Sequence, residues 1–477
     1  MRWNRNPVWR RAESAIRSTL MFVLFALFAT HCRPVWAASN VWTRLQLGRA
    51  NLTAVANDRQ NPNTVYALNN GALPSEPTLV FKTTDGGENW IALSTMPSQG
   101  LSTIEINPKT PNTIYAYGSG GLFKSTDTGE SWVDTGFPGS VRTSAIDPRG
   151  VTTLAIDPQN SEVIYAGSFV CSGLCGGRVF KSMDGGHTWI TPTFVFTDPS
   201  CSQTISASAV DPQNPSTVYA TTTDCNDQGG NLFKSTDGGM TWKKTILHVF
   251  TYDEYENVIA IDPQNPNRIY VGTGYGIATS TDGGESWSQA TFLVNSRLPE
   301  QFLVTSLAIN RQNPSTLYAA GYAWPDSASP LPLSGIFKSV DGGINWIPFS
   351  DVLNGLVLRS LALTSRGPKT LYAGTSGGVF KIVDNTPVLS LDSAQYCVGS
   401  SWMLKVSNGA ANTLIRLLGA SNGQMWEIRD WRTTDGDGDS SEAGVFAAGT
   451  EGSYFLRVDI NGTLSNVVSF VVSNCRP

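Results

Sequence analysis

Two stretches of the chain gather acids and aromatic rings closely enough to act on a sugar. In His248-Val249-Phe250-Thr251-Tyr252-Asp253-Glu254-Tyr255-Glu256, three acids stand among three rings. Glycoside hydrolysis needs a pair of carboxylates, one as general acid and the other as base or nucleophile, and rings supply a platform for the sugar. Asp253, Glu254 and Glu256 are the candidate acids here, with Tyr252 and Tyr255 as ring surfaces. The plain alternative is a solvated acidic loop. The second stretch, Gly321 through Leu333, sets Tyr322 and Trp324 beside Asp326; the rings either stack on a ligand or cover a sheet edge. Glu105 is a separate candidate, because the equivalent positions in the rest of the chain, Ala56, Ala155, Ala209, Ala260, Ala308 and Ala362, are alanine. A carboxylate in such a place must be paired or must face water.

These residues have to be positioned by a scaffold, and the scaffold is written as a repeat. The phrase Lys234-Ser235-Thr236-Asp237-Gly238-Gly239-Met240-Thr241-Trp242 recurs at Lys82 to Trp90, Lys124 to Trp132, Lys181 to Trp189, Thr279 to Trp287 and Lys338 to Trp346. Each copy follows a first half of the type Ala-Ile-Asp-Pro-Gln-Asn then Ile-Tyr-Ala-Gly. Short β-branched and aromatic runs separated by Asp-Pro, Asn-Pro and Gly-Gly predict strand, turn, strand, with four strands per unit. The tryptophans recur every 42 to 59 residues, the spacing of a β-propeller blade. A seventh repeat, Leu361 to Asp384, ends without Gly-Gly or Trp, whereas Asn40 to Leu45 resembles a Trp-led fourth strand with nothing before it. The two partial ends predict one shared blade, hence an all-β, seven-bladed β-propeller closed by its N-terminal strand, which removes exposed sheet edges.

The flanks differ in kind. Residues 1–37 carry arginines, then the apolar run Thr19 to Thr30, then Val35-Trp36-Ala37, the pattern of a signal peptide. A membrane anchor is the competing reading of a run this short, and Cys32 after His31 is a poor lipoprotein site. Cleavage would remove six arginines and one glutamate, leaving 27 basic against 37 acidic residues. Such a chain is not expected to bind nucleic acid or to insert in a membrane. The propeller is assigned residues 38–385. Residues 386–477 contain short apolar runs at the spacing of an immunoglobulin-like β-sandwich.

The repeated phrase closely resembles the Asp-box, or BNR repeat, of sialidases, xyloglucan-degrading glycoside hydrolases, sortilin-type receptors and a photosystem II assembly factor. The resemblance runs from Trp42 to about Asp384 and matches no single one of these families throughout. It implies that Asp85, Asp127, Asp184, Asp237, Asp282 and Asp341 are scaffold residues at the end opposite the loops where function would lie. The local chemistry agrees, since such an Asp can accept N–H bonds within its own turn. The Arg-Ile-Pro element and arginine triad of a sialidase are not found, and no catalytic Asp of a xyloglucan hydrolase can be matched residue by residue.

Only His187 and His248 follow the leader, which argues against a multi-histidine zinc site and a Ser-His-Asp triad; no metal or cofactor is expected. Asp435, Asp437 and Asp439 alternate as in a calcium loop but lack its glycine and its terminal glutamate. Cys397 and Cys475 bracket the C-terminal segment as a disulfide candidate, worth about 2–4 kcal/mol. Cys171, Cys175, Cys201 and Cys225 would brace blade loops in a pairing that three alternatives leave open. Without a recognisable catalytic set, the leading expectation is an exported, non-enzymatic protein that presents its loop face to a glycan or protein. The alternatives are a glycoside hydrolase using the loop carboxylates and a chaperone-like assembly factor.

Overall fold

A computed structural model describes residues 42–45, 47, 52–70, 77–138, 150–172, 174–190, 204–222, 231–245, 258–292, 302–323, 333–350, 353, 355–365 and 369–384, and the backbone of strands between 388 and 473. The leader expected at 1–37 lies outside these residues. The chain divides into a unit spanning Trp42–Val388 and a second that holds Leu389–Pro477.

The first unit is a seven-bladed β-propeller. Its innermost strands are Leu52–Asn57, Leu101–Ile106, Val151–Ile156, Ile205–Val210, Val258–Ile261, Leu303–Ile309 and Leu358–Leu363, one in each of seven sheets; we number the blades 1 to 7 in that order. The second strands are buried along their whole length, as in Ile114–Gly118 and Ile269–Thr273. A strand packed on both faces by neighbouring blades has no solvent side, so its sequence is a continuous apolar run and does not alternate. In blade 3 the fourth position shrinks to a bridge between Lys181 and Ile190. In blade 7 the outer strand is Thr43–Arg44, paired antiparallel with Lys381 and Phe380.

The Asp-box turn is self-contained. The Ser235 hydroxyl donates to Asp237 Oδ1 at 2.8 Å and accepts from Gly239 N–H, while Thr241 N–H donates to the same carboxylate oxygen at 2.9 Å. Gly238 and Gly239 have φ of 72° and 86°, values that a Cβ disfavours. The Trp242 indole N–H closes the turn on the Gly239 carbonyl at 3.1 Å. Bonds from the Thr241 hydroxyl, Thr241 N–H and Ser235 hydroxyl hold Asp237 down to about 2. Thr188 and Ser182 likewise lower Asp184.

Each box also clasps the preceding blade. The Tyr165 hydroxyl and the Lys181 ammonium of blade 3 both donate to the Gly238 carbonyl of blade 4, at 3.2 and 2.9 Å. Tyr115 with Lys124, and Tyr219 with Lys234, do the same to Gly185 and Gly283. Blade 7 has no Asp-box, and Asp384 takes the carbonyl's place: its carboxylate accepts from the Tyr318 hydroxyl and, at 2.6 Å, from Lys338. Tyr372 of blade 7 donates in turn to the Gly86 carbonyl of blade 1 at 3.0 Å.

In the second unit, Val388–Leu391, Ser401–Ser407 and Ser440–Val445 form one sheet. Gln395–Cys397, Val468–Ser473, Gly452–Ile460, Leu414–Ser421 and Gln424–Thr433 form another, with Thr463–Leu464 paired on Gly452–Ile460. Ile460 pairs with Thr463 and Asp459 with Leu464.

Candidate functional site

The inner strands enclose a central channel of about 560 Å3. Each inner strand runs from the loop end to the Asp-box end, where the turn that follows it meets the box of its own blade; Gly238 N–H, for example, donates to the Ser216 carbonyl at 2.7 Å. The turns are built alike. Asp157, Asp211 and Asp262 each accept the N–H two residues on, at 2.7 to 2.8 Å, so each engages one carboxylate oxygen in its own turn.

These seven turns are joined side to side into a collar around the channel mouth. Gln60 reaches the Lys109 carbonyl at 3.1 Å, and Lys109 donates to the Gln159 carbonyl. Gln159 reaches Gln213 at 2.9 Å, Gln213 reaches Gln264 at 3.0 Å, and Gln264 reaches the Arg311 carbonyl at 3.0 Å. Lys369 then meets Gln312, and Ser365 donates to the Arg59 carbonyl at 2.6 Å. The collar therefore crosses every blade junction, including the one between the last blade and the first.

The charged groups lining the channel are Arg59, Glu105, Arg311 and Arg359, joined by the buried Tyr117. Glu105 sits near the Asp-box end on Leu101–Ile106, opposite Tyr115. It is half-buried in surface terms because the channel admits water, yet protein surrounds it. Burial raises its carboxyl to about 7 against a lowering by Arg59. Arg59 and Arg311 are exposed in surface terms, though desolvation by the protein around them lowers Arg59, opposed by Glu105, and brings Arg311 down to about 10, with Arg59 adding to the effect. Tyr117 is raised by burial and then by Glu105, against bonds to the Leu154 backbone and Thr103.

The other site candidates fall in different places. Tyr322 lies within strand Leu317–Ala323, opposite Leu303 and Ser334, and is 9% exposed. Its ring is largely buried in the blade, because the strand carries it between those two neighbours. Burial raises its hydroxyl, with Arg359 opposing. Tyr252, Asp253, Glu254, Tyr255, Glu256, Trp324 and Asp326 lie outside the described residues, as do Asp435, Asp437, Asp439, Cys201, Cys225 and Cys475. The backbone places Cys171 opposite Cys175 across a hairpin, and Cys397 opposite Ser473.

Sequence reading missed Arg59, Arg311 and Tyr117. The signal was of the kind that exposed Glu105, a departure from a repeat column. Tyr117 stands where the other blades have Leu68, Gly167, Thr221, Gly272, Ala320 and Gly374. The arginines stand where four other blades have proline.

No family model matches the chain. It is 28% identical over 284 residues to the xyloglucanase Xgh74A of Acetivibrio thermocellus, covering 52% of this chain and 32% of that protein. It is 25% identical over 340 residues to a xyloglucanase of a Paenibacillus species, covering 60% and 32%. A xyloglucanase of Hypocrea jecorina matches at 25% over 302 residues, covering 55% and 33%. The chain thus spans about a third of the length of these relatives. Among solved structures, a GH74 xyloglucanase from Xanthomonas campestris aligns at 16% identity and a TM-score of 0.40, covering 91% of this chain and 78% of that one. An ancestral GH74 enzyme aligns at 16% and 0.45, covering 79% and 47%. The expectation of a non-enzymatic binding protein is overturned by these relatives. It rested on the lack of a recognisable catalytic set, and catalytic carboxylates on blade loops carry no fixed motif by which to recognise them.

Proposed function

We propose that the chain is a glycoside hydrolase acting on xyloglucan or a related neutral β-glucan. The observation that carries this is that relatives from three organisms, matching more than half of the chain, are xyloglucanases. A neutral polysaccharide also suits an acidic protein, since it meets no charge repulsion. The hydrolytic pair is drawn from Asp253, Glu254, Glu256 and Asp326, with Tyr252, Tyr255 and Trp324 as sugar platforms. Glu105 is the weaker candidate, because it stands toward the Asp-box mouth, away from the loop end. One acid protonates the leaving oxygen while the other acts as base or nucleophile, and their separation, about 5–5.5 or 6.5–9.5 Å, sets retention or inversion. Export behind the leader 1–37 fits a polymer that cannot enter a cell. Closure of the ring by Thr43–Arg44 and an immunoglobulin-like arrangement of the second unit complete the reading.

The test is an assay of reducing ends and oligosaccharides released from xyloglucan by residues 38–477. Hydrolysis is expected, with Asp253→Asn, Glu254→Gln, Glu256→Gln and Asp326→Asn made singly and at least two of them losing about 10²–10⁴-fold in rate. A folded protein that releases nothing from xyloglucan or other β-glucans overturns the proposal.

A further inference from the structure

The two outer strands of the sheet in blade 3 run further than those of its neighbours. Ile164–Ser172 and Leu174–Ser182 are nine residues each, where the second strands of blades 2, 4 and 5 are five. The inner strand of blade 3 stops pairing where Val151 meets Ser168, and the fourth position is the single bridge of Lys181 with Ile190. Beyond Ser168 the hairpin is therefore, among the described residues, a two-stranded ribbon that extends about 13 Å past the inner strand. Such a ribbon alone is at best marginally stable in water. Gly176 and Gly177, opposite Val170 and Phe169, weaken its base further, since glycine offers a strand no side chain to pack and loses more chain entropy on ordering. Packing against blade 4 fixes that weakness in place: a Cβ on Gly177 would stand 2.8 Å from Ile205 Cδ1, at the start of the next inner strand. What holds the ribbon must then come from its tip, and there the register sets Cys171 directly opposite Cys175.

We infer that Cys171 and Cys175 form a disulfide that staples the tip of this hairpin at the loop end of the propeller. Directly opposite residues of an antiparallel pair share one face of the ribbon, with Cα atoms about 4.5 or 5.5 Å apart according to the kind of pair. Both separations fall inside the range of about 4.4–6.8 Å that a disulfide spans. The spacing of the four propeller cysteines leaves three pairings open, and the register selects one. In forming the bond the two thiols give up two protons and two electrons to the disulfide of an oxidant, which leaves as two thiols. Export behind the leader places the chain where such oxidants prevail. The staple is local: three residues separate the two cysteines, so it constrains the unfolded chain less than a bridge across a long loop.

Peptide mapping without reduction tests the pairing. The full chain, produced with its leader in an oxidising medium that contains glutathione disulfide, is alkylated and then cut with trypsin. Both cysteines fall in the peptide Gly150–Arg178, which holds no other cysteine. That peptide is expected unalkylated and two hydrogens lighter than its dithiol form, taking up two alkyl groups only after reduction. Recovery with two alkyl groups before reduction, or joined to a peptide that carries Cys201 or Cys225, overturns the proposal. The effect of the staple is read by hydrogen exchange in the double variant Cys171→Ser with Cys175→Ser. Amides from Phe169 to Gly177 should exchange at least about tenfold faster than in the bridged protein, while those of Ile114–Gly118 in blade 2 keep their rates. Equal exchange at the hairpin in both proteins overturns the stapling role.

Discussion

Thr128 shows how one side chain can replace a feature that the rest of the repeat builds from backbone. It occupies the first glycine position of its Asp-box with φ of 64°, and among the described residues it is the non-glycine residue with positive φ. A β-branched residue there is strained. It is compensated by the Lys82 ammonium, which donates to the Thr128 hydroxyl at 2.8 Å, where lysines of other blades use a glycine carbonyl. Thr128→Gly should release the strain and leave the existing carbonyl of residue 128 to accept from Lys82, as the glycine carbonyls of other boxes do, stabilising the fold by roughly 0.5–1 kcal/mol in denaturant unfolding. A loss of stability would mean that the hydroxyl contact outweighs the strain. Glu105 is another residue that departs from its repeat column. Its carboxyl rises from about 4.5 unfolded to about 7 folded, so between those values the folded state holds a proton that the unfolded state has lost. Stability contributed by the neutral form therefore falls as pH rises from about 4.5 to 7. Glu105→Gln should leave the melting temperature unchanged at pH 4.5 and raise it by about 1–3 °C at pH 8; an equal shift at both values would rule out titration as the cause.

At the scale of the element, the Asp-box and its surrogate in blade 7 respond differently to perturbation. The boxes are exposed, and their carboxylates are lowered by local bonds: Asp127, Asp237 and Asp282 stand at about 2. Their contribution is present above the unfolded value of about 3.9 and is lost as pH falls through the folded one. Converting all three to Asn should lower the melting temperature at pH 7 and bring the variant and wild-type curves together near pH 2. Asp384 is buried, at 1% exposure, with Lys338 at 2%. Asp384→Asn would strand a buried ammonium at a cost of about 3–5 kcal/mol, read as a shifted urea midpoint. Asp384→Asn with Lys338→Met should recover much of that loss, and a double variant as unstable as the single would show that the ion pair is not the cause. The blade plan was legible because strand, turn and box recur in fixed order, and the truncated seventh repeat was visible as a defect. The role of Asp384 was not visible. A carboxylate replacing a carbonyl contact through Tyr318 and Lys338 depends on residues 66 and 46 positions away, a distance over which no local pattern operates. The channel arginines were legible in principle, since they break a proline column, but reading them required knowing that the column lines a channel. The loop carboxylates lie where insertions abolish the repeat, and a repeat reveals function only through departures from itself.

For the molecule as a whole, the question is whether the last blade is joined to the first as firmly as any other pair. Contacts that cross that junction include the Tyr372 bond to Gly86, the Ser365 bond to the Arg59 carbonyl, Val55 N–H to the Ser360 hydroxyl at 2.9 Å, and the Lys381–Glu88 ion pair at 3.4 Å. The first two have counterparts between interior blades, in the Tyr165 bond to Gly238 and in the glutamine collar. Contacts of this kind join the last blade to the first, so the edges that remain are the short outer strands of the individual blades. The contacts crossing the junction are separated by about three hundred residues, 286 for Tyr372 and Gly86, so the closing junction forms only when the whole array is in place. Tyr372→Phe and Tyr165→Phe each delete one hydroxyl that donates to a buried carbonyl, a loss of about 1 kcal/mol. If the ring is closed in solution, the two variants should lower the unfolding free energy equally, with a single cooperative transition in both. An open array would leave Tyr372→Phe without effect while Tyr165→Phe kept its full cost, because only the second bond joins blades that are neighbours along the chain.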